Sequence, residues 1–370
     1  MSATVEQLLG FQTETDTTHV VAQDLTFSFL FFSDVRTDVT DAEKYGFMRD
    51  LTLFADREGF EAVYIPERHF YEFGSIFANS AVVAAHLIPQ TERVRFRTAG
   101  ISLPLHHPAE VVEWWAINDI LSGGRVDLGF GSGWNQADFI YSPDTFDDRR
   151  AITSERIEQV RRLWRGETLS FPGPEGKDYP IRIFPRPLQP ELNVWLLAAS
   201  SDAAFTFAGE QGYNVFTMLY SQNFEAMGKK IERYRQGRRD AGLDPAKGTV
   251  SLMLHTLVHK DLDTVQWVVE KPFKSYIKSA LEAHVNAGLA KLKGAGEVGE
   301  AEKAKMLEYA YQRYFRTSAI FGPPEQAREV VEQARAIGVN DIACVMDFGV
   351  DYDVVKDSFP YLKQLISRYV

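Results

Sequence analysis

The stretch that decides the fold runs from Thr98 to Trp134 and reads TAGISLPLHHPAEVVEWWAINDILSGGRVDLGFGSGW. Apolar residues over Val94–Ile101 predict a strand, and the spacing after it predicts a helix that stops at Ser122. A second apolar strand, Val126–Gly131, opens into a glycine-rich turn that ends at Trp134. In parallel α/β folds the loops after strand C-termini carry the chemistry. The glycines therefore predict either a close approach of backbone to a flat ligand, covered by Trp134, or only a tight strand exit.

Strands and helices are predicted to alternate along the whole chain. The predicted strands are Leu25–Phe32, Ala62–Ile65, Val94–Ile101, Val126–Gly131, Val194–Ala199, Asn214–Met218, Val250–His259 and Ile342–Met346. The predicted helices are Glu43–Glu58 with Asp41 as its N-cap, Ala78–Leu87, Val111–Ile120, Asp147–Trp164, Asp202–Gln211, Phe224–Ala241, Glu325–Ala336 and Val354–Tyr369. Roughly eight such units with right-handed crossovers favour an α/β fold of the closed (β/α)8 kind, a TIM barrel with insertions, over a doubly wound sheet.

Residues 25–370 are predicted to form a single barrel domain after a flexible N-terminal arm at residues 1–24. Six prolines within residues 167–190 predict an irregular segment that lies outside the core. Residues from about 262 to 318 are too long and too helical for one crossover, so they predict a helical insertion with a glycine-rich link. Such an insertion is either a lid over the barrel mouth, a simple helical elaboration or a surface for self-association.

The composition is that of an acidic globular protein. The chain has 370 residues, 45% of them hydrophobic, and a formal net charge of −11, which argues against a nucleic acid or an anionic membrane as partner. The N-terminus lacks the features of a signal peptide and no apolar run reaches membrane-spanning length, so a cytoplasmic location is predicted. The lone cysteine, Cys344, lies in an apolar strand and is predicted to be a buried, inert thiol.

No common metal or phosphate motif is present. His106 and His107 are adjacent, so their side chains point apart and joint ligation of a metal is not expected. His255 and His259 share one side of a strand but lie roughly 13 Å apart, too far to hold one ion. The sequence therefore predicts no metal site.

Two other clusters follow predicted strands. The loop after Ala62–Ile65 carries Glu67, Arg68 and His69, which are either acid–base groups of a buried site or a capped loop with a Glu–Arg ion pair. The loop after Val194–Ala199 carries Ser200 and Ser201 before a helix. The two hydroxyl groups are either ordinary helix caps or part of a phosphate-binding site that also uses the free N–H groups at the start of the helix.

Taken together, these segments resemble the bacterial luciferase-like flavin-dependent monooxygenases. The matching segments cover nearly the whole chain and are Ala55–Phe73, Arg93–Pro108, Asp119–Gly133, Leu196–Ser201 and Gly338–Met346. The run Trp134–Phe139 is more similar to the subgroup associated with natural-product biosynthesis than to the light-emitting enzymes.

The resemblance implies a two-component monooxygenase that binds FMN at the barrel mouth. A separate flavin reductase would supply the reduced flavin, and O₂ would add at its C4a position to give a peroxide that oxygenates a small-molecule or carrier-protein-bound substrate. The resemblance places backbone at Ala99 and Gly100 along the flavin ring, often with a non-proline cis peptide. It places the phosphate at Ser200, with Ala199 and Ser201 beside it, and the turn Ser132, Gly133 and Trp134 at the cofactor.

Two departures from the luciferases are specific to this chain. Ser132 stands where they carry a phosphate-binding arginine, which implies either a lower affinity for flavin or another cation in its place, such as Arg149 or Arg150. Arg68 stands where they carry a catalytic histidine, and His69 matches the second histidine, which makes His69 the acid–base candidate and Arg68 a candidate for holding the flavin or an anionic substrate.

The resemblance leaves alternatives open and implies an assembly. One alternative is an oxidoreductase of the same fold that uses the deazaflavin F420, and another is a non-catalytic flavin-binding paralogue. A homodimer is expected through the helices Ala78–Leu87 and Val111–Ile120, whose apolar surplus exceeds what one core needs.

Overall fold

Eight parallel strands close a barrel in the computed structural model, which describes residues 24–32, 36–70, 75–219, 222–284 and 300–369. The barrel strands are β1 (Thr26–Leu30), β2 (Ala62–Ile65), β3 (Arg95–Thr98), β5 (Val126–Gly131), β8 (Val194–Leu197), β9 (Asn214–Met218), β10 (Val250–Val258) and β12 (Asp341–Val345). The ring closes at β1, where Phe29 is in register with Val63 of β2 on one side and Cys344 of β12 on the other. The predicted barrel is confirmed.

Helices alternate with these strands. They are α1 (Asp41–Glu58), α2 (Ser80–Leu87), α3 (Pro108–Ser122), α4 (Arg149–Arg165), α5 (Asp202–Glu210), α6 (Phe224–Asp240), α7 (Leu262–His284), α8 (Glu300–Thr317), α9 (Pro324–Ala336) and α10 (Tyr352–Ile366). No helix in the described part of the chain is both long enough and apolar enough to cross a membrane. The predicted arm, apart from Asp24, and the glycine-rich link at 285–299 lie outside the described residues.

The start of α1 differs from the prediction. The N-cap is Thr40, because Asp41 already has helical geometry. The Thr40 hydroxyl accepts a hydrogen bond from the Glu43 N–H, and the Glu43 carboxylate accepts one from the Thr40 N–H, which is a capping box.

Three short strands were not predicted. Residues within the proline-rich segment form an antiparallel pair, β6 (Leu169–Pro172) and β7 (Asp178–Ile181), in a sheet of their own. The third is β11 (Ala319–Gly322), which lies just after the predicted insertion. His255 of β10 is paired with Val345 of β12 and with Ala319 of β11, so β11 lies at the opposite edge of β10 from β12. Pro172 and Pro180 obscure the strand pattern of β6 and β7, and the short apolar run of β11 directly follows a helical pattern.

A layer of charged side chains fills the lower barrel interior. Arg97 Nε donates to Asp127 Oδ2 at 2.6 Å, and a guanidinium nitrogen of Arg97 lies 3.7 Å from Asp341 Oδ2. Ser28 and Ser251 both donate to Asp341, so each buried charge has several partners. This layer seals the bottom of the barrel and leaves the opposite, C-terminal mouth as the place for a site.

Candidate functional site

A hollow of small and flexible side chains lies above the charged layer. Side chains alternate across a strand, so a residue two positions beyond a member of that layer also faces the interior. Two positions beyond Arg97, Asp127, Ser251 and Asp341 the side chains are short or flexible, and they are Ala99, Gly129, Met253 and Ala343. Ala99 and Met253 are partly exposed although they face inward. The mouth of the barrel is therefore open down to this level.

The chain bulges at one wall of this hollow. The predicted strand Val94–Ile101 is in fact split into β3 and β4 (Ile101–Ser102), because Gly100 takes a φ of +100° that interrupts the strand. A side chain at Gly129 on the neighbouring strand would place its Cβ 2.3 Å from the Thr98 carbonyl oxygen, so only glycine fits there. Ala99 and Gly100 therefore present mainly backbone atoms to the hollow.

The cis peptide implied at Ala99–Gly100 is not found. Among the described residues the cis bond is Phe184–Pro185. A non-proline cis bond costs about 3 kcal/mol, whereas the positive φ of a glycine turns the chain at little cost.

Glu67, His69 and His106 come together at the mouth. The Glu67 carboxylate, with its side chain 5% exposed, accepts hydrogen bonds from His69 Nε2 at 3.1 Å and from His106 Nε2 at 3.0 Å. Burial alone would raise the pKa of Glu67, but the hydrogen bonds from the two histidines lower it below its usual value. Burial likewise opposes charge on His106, yet Glu67, with a smaller contribution from Glu110, raises the pKa of His106. The result is an anionic Glu67 between two imidazoles.

Sequence reasoning paired Glu67 with Arg68 and gave His106 no role. The hydrogen bond between Glu67 and His106 spans 39 positions, and only the barrel brings the two loops together. The donor atoms of the trio lie within 4.8 Å of one another, a spacing that is also compatible with a metal ion. Hydrogen bonds and opposite charges account for the spacing fully.

Arg68 points away from that trio. Its guanidinium carbon lies 4.4 Å from the centre of the Phe32 ring. Desolvation lowers the pKa of Arg68, against the opposing influence of Tyr276, Asp347 and Asp138. The predicted Glu67–Arg68 ion pair is therefore replaced by Glu67 between histidines, with Arg68 facing the β1 side of the mouth.

Asp138 is a site residue that the sequence did not single out. Asn135 donates to its carboxylate, and burial raises the pKa of Asp138 to about 6. The charges of His69, Glu67 and Arg68 all influence this carboxyl group, which places it beside the trio. Its signal in the sequence was only its position in the run Trp134–Phe139 after β5.

The turn after β5 brings Ser132, Gly133 and Trp134 to the mouth, each partly exposed. A Cβ at Gly133 would lie 2.9 Å from the Phe139 ring, so this turn packs on an aromatic residue. Phe139 in turn contacts Phe146, over which the Arg149 guanidinium lies at 4.3 Å. Arg149 is thus held behind two aromatic rings, and Arg150 is exposed at the start of α4.

A different cation lies beside the predicted phosphate-binding site. Lys230 Nζ on α6 donates to the Ser200 carbonyl oxygen at 2.8 Å and pairs with Asp202. Ser201 caps α5 by accepting from the Ala204 N–H at 3.3 Å, and Ser200 is exposed. The carbonyl oxygen of Ala199 accepts from Gln222 Nε2 at 2.9 Å. Lys230 is thirty positions from Ser200, so only the α5–α6 packing reveals it.

Comparisons with known proteins agree with this architecture. The model of the family described as luciferase-like monooxygenase matches residues 25–341. The oxygenase component of the flavin-dependent trigonelline monooxygenase of Acinetobacter baylyi is 24% identical over 359 residues, covering 92% of this chain and 93% of that protein. The alkanal monooxygenase alpha chain of Aliivibrio fischeri is 21% identical over 321 residues, covering 84% of this chain and 89% of the relative.

Solved structures show the same fold. A monooxygenase from Streptomyces bottropensis superposes with a TM-score of 0.76 at 21% identity, over 94% of this chain and all of the other. The oxygenating constituent of the 3,6-diketocamphane monooxygenase of Pseudomonas putida, in complex with FMN, superposes with a TM-score of 0.72 at 17% identity. The match covers 94% of this chain and 98% of that one. An F420-dependent secondary alcohol dehydrogenase superposes with a TM-score of 0.68 at 16% identity, over 94% of this chain and all of the other. Since the family model covers most of the barrel, this chain belongs to the luciferase-like monooxygenase family of flavin-dependent oxidoreductases.

Proposed function

We propose that this protein is the oxygenase of a two-component system that uses reduced FMN and O₂ to oxygenate a small-molecule or carrier-tethered biosynthetic intermediate. The strongest support is the arrangement of the mouth. The loop after β8 carries Ser200 with Lys230 beside it, and the loops after β2 and β4 carry the acid–base cluster. Ala99 and Gly100 lie on the chain between β3 and β4, which stands between these loops in the strand order. The relatives matched over most of their length are named as monooxygenases. A separate flavin reductase is the partner that this proposal requires.

The residues at the mouth fit FMN. Ser200, Ser201 and Lys230 would hold the phosphate, with the N-terminus of α5 adding its partial positive charge. The bulge at Ala99–Gly100, which carries almost no side chain, would lie along the flavin ring. Bound reduced flavin supplies the electrons for activating O₂, which no amino-acid side chain can supply.

The protein groups around the hollow would handle protons and charge. His69 is the candidate proton donor or acceptor for the substrate, and Asp138, whose pKa is raised to about 6, is a second titratable group within the cluster. Arg68 would offer a fixed positive charge to the reduced flavin or an anionic substrate. Ser132, Gly133 and Trp134 would cover the cofactor from the β5 side.

We also propose a homodimer, with α2 and α3 at the interface. Apolar side chains stand exposed on these helices, with Val82 at 67%, Ile117 at 46% and Leu121 at 59%. Burying such residues against a second copy removes apolar surface from water. A cytoplasmic location stays a prediction from the sequence.

Isotope labelling tests the proposed reaction. Protein, reduced FMN and ¹⁸O₂ are incubated with intermediates of neighbouring biosynthetic reactions, and products are measured by mass spectrometry. Incorporation of one labelled oxygen atom into a product is expected. Conversion of substrate only in a parallel assay with oxidised or reduced F420, without label, would favour the F420-dependent alternative. Flavin binding without any product in either assay would favour a non-catalytic paralogue.

A further inference from the structure

His106 contacts no predicted cofactor residue, yet it is tied to the acid–base cluster. Its Nε2 donates to the same Glu67 oxygen that His69 Nε2 approaches, at 3.0 and 3.1 Å. On its other side, His106 Nδ1 lies 3.8 Å from Glu110 Oε2, and its ring packs edge-on against Trp114. His106 is thus contacted at both nitrogens and by one aromatic ring.

The shared carboxylate fixes the tautomer of His69. An anionic Glu67 only accepts hydrogen bonds, so the proton of neutral His69 is on Nε2. This leaves Nδ1 of His69 as the atom with a free lone pair. The His69 ring is further held edge-on against Tyr141 at 5.2 Å.

Charge compensation is the second consequence. One oxygen of Glu67 contacts both histidines, so a charge on His106 changes the electrostatic environment of His69. Glu67 raises the pKa of His106, so a positive charge on His106 offsets the charge of the carboxylate that it shares with His69.

We propose that His106 is a positioning residue, which acts through Glu67 to orient His69, keep Nδ1 of His69 as the proton-transferring atom and offset the carboxylate charge. The proposal rests on the proposed function, in which His69 transfers the proton. It assigns a role to a histidine that lies on the loop after β4, outside the Glu67–His69 loop.

Two variants with opposite expected effects on His69 test the proposal. His106→Gln keeps an N–H donor for Glu67 but removes the positive charge, so His69 should stay protonated to higher pH. Glu67→Gln removes the negative charge, so His69 should lose its proton at lower pH. Modification of the His69 peptide by diethyl pyrocarbonate, which attacks only unprotonated imidazole, is followed against pH by mass spectrometry. The midpoint should rise by about one pH unit or more in the first variant and fall in the second.

Other charged groups near the cluster are controlled separately. Asp138 titrates near pH 6, so Asp138→Asn is measured in parallel to identify its part of the profile. Arg68 stays charged throughout, and Glu110 faces only the outer nitrogen of His106. His107→Asn is the matched control, since His107 caps α3 through its Nδ1 and asparagine is also a good cap. It should leave the midpoint unchanged.

The result separates this proposal from the proposed function, because the modification needs no flavin and no turnover. Opposite shifts support the positioning role even where no labelled product forms. Equal midpoints in the wild type, His106→Gln and Glu67→Gln overturn it. Stoichiometric Zn²⁺ binding that both variants abolish would overturn it as well, since the trio would then be metal ligands. If His106→Gln does not fold, His106→Asn, which also offers an N–H donor without a charge, is measured in its place.

Discussion

Single residues at the strand ends carry the proposed chemistry, and some of them are visible in sequence. Ser200 and His69 follow apolar strands, which is where a barrel places its site. Lys230, His106 and Asp138 are not visible in this way, because their relevance depends on contacts between loops far apart in the chain. A strand pattern predicts where a loop is but not which distant side chain it meets.

Ser200→Asp should weaken binding of reduced FMN at least tenfold, or about 1.4 kcal/mol. The new carboxylate would stand beside the phosphate and would also compete for Lys230. Titration of the variant with reduced FMN measures this, and an unchanged affinity would exclude the phosphate from this site.

Lys230→Gln should also weaken the binding of reduced FMN, because it removes the cation beside Ser200. Lys229→Gln is the matched control. Lys229 is exposed on the same helix and pairs with Glu225. Equal losses in the two variants would show a general effect of net charge rather than a phosphate contact.

His69→Ala should slow oxygenation a hundredfold or more while leaving binding of reduced flavin largely intact. Hydrogen peroxide released per flavin oxidised should rise towards one. Arg68→Ala should differ, because loss of a fixed positive charge impairs binding as well as turnover. If His69→Ala couples O₂ to product as well as the wild type does, His69 is structural and Arg68 becomes the better candidate.

At the scale of elements, α7 packs on the upper end of β10. Phe273 and Tyr276 of α7 surround His255 at ring distances of 4.7 Å, and Phe348 lies at 5.6 Å. Burial lowers the pKa of His255 to about 3, so the folded protein keeps this ring neutral. The helical pattern of residues 262–284 was predictable, but the contact of α7 with a barrel histidine was not, because periodicity shows a buried face without showing what it packs against.

His255 should make the protein less stable in acid. The unfolded chain takes up a proton near pH 6.5 and the folded one only near pH 3, so stability is lost progressively as pH falls through that window. His255→Leu removes this term, so its melting temperature relative to the wild type should be higher at pH 5 than at pH 8. Thermal unfolding at both pH values measures the difference, and an unchanged difference would place the acid sensitivity elsewhere.

At the scale of the whole molecule, the barrel was predictable because eight strand patterns recur between helices. The charged layer of Arg97, Asp127 and Asp341 was not predictable. A charged residue within a strand pattern is normally assigned to the solvent-facing side, and its buried partners lie on other strands. Cys344 is fully buried, as predicted, and burial raises the pKa of its thiol to about 12.

The dimer is tested with charges on the exposed helical face. Ile117→Lys with Leu121→Lys should give a monomer by light scattering at micromolar concentration, because a lysine at the centre of an apolar interface stays unpaired. Trp267→Lys, on the exposed face of α7, is the control and should leave the mass unchanged. A wild type that is already monomeric would contradict the proposed assembly.

The central claim is that the barrel mouth binds reduced FMN, and an anaerobic titration of the full-length protein tests it most directly. Reduced FMN and reduced F420 are titrated separately and followed by absorbance and fluorescence. We predict one reduced FMN per chain, bound at least ten times more tightly than reduced F420. Preferential binding of reduced F420, or binding of neither cofactor, would contradict the account.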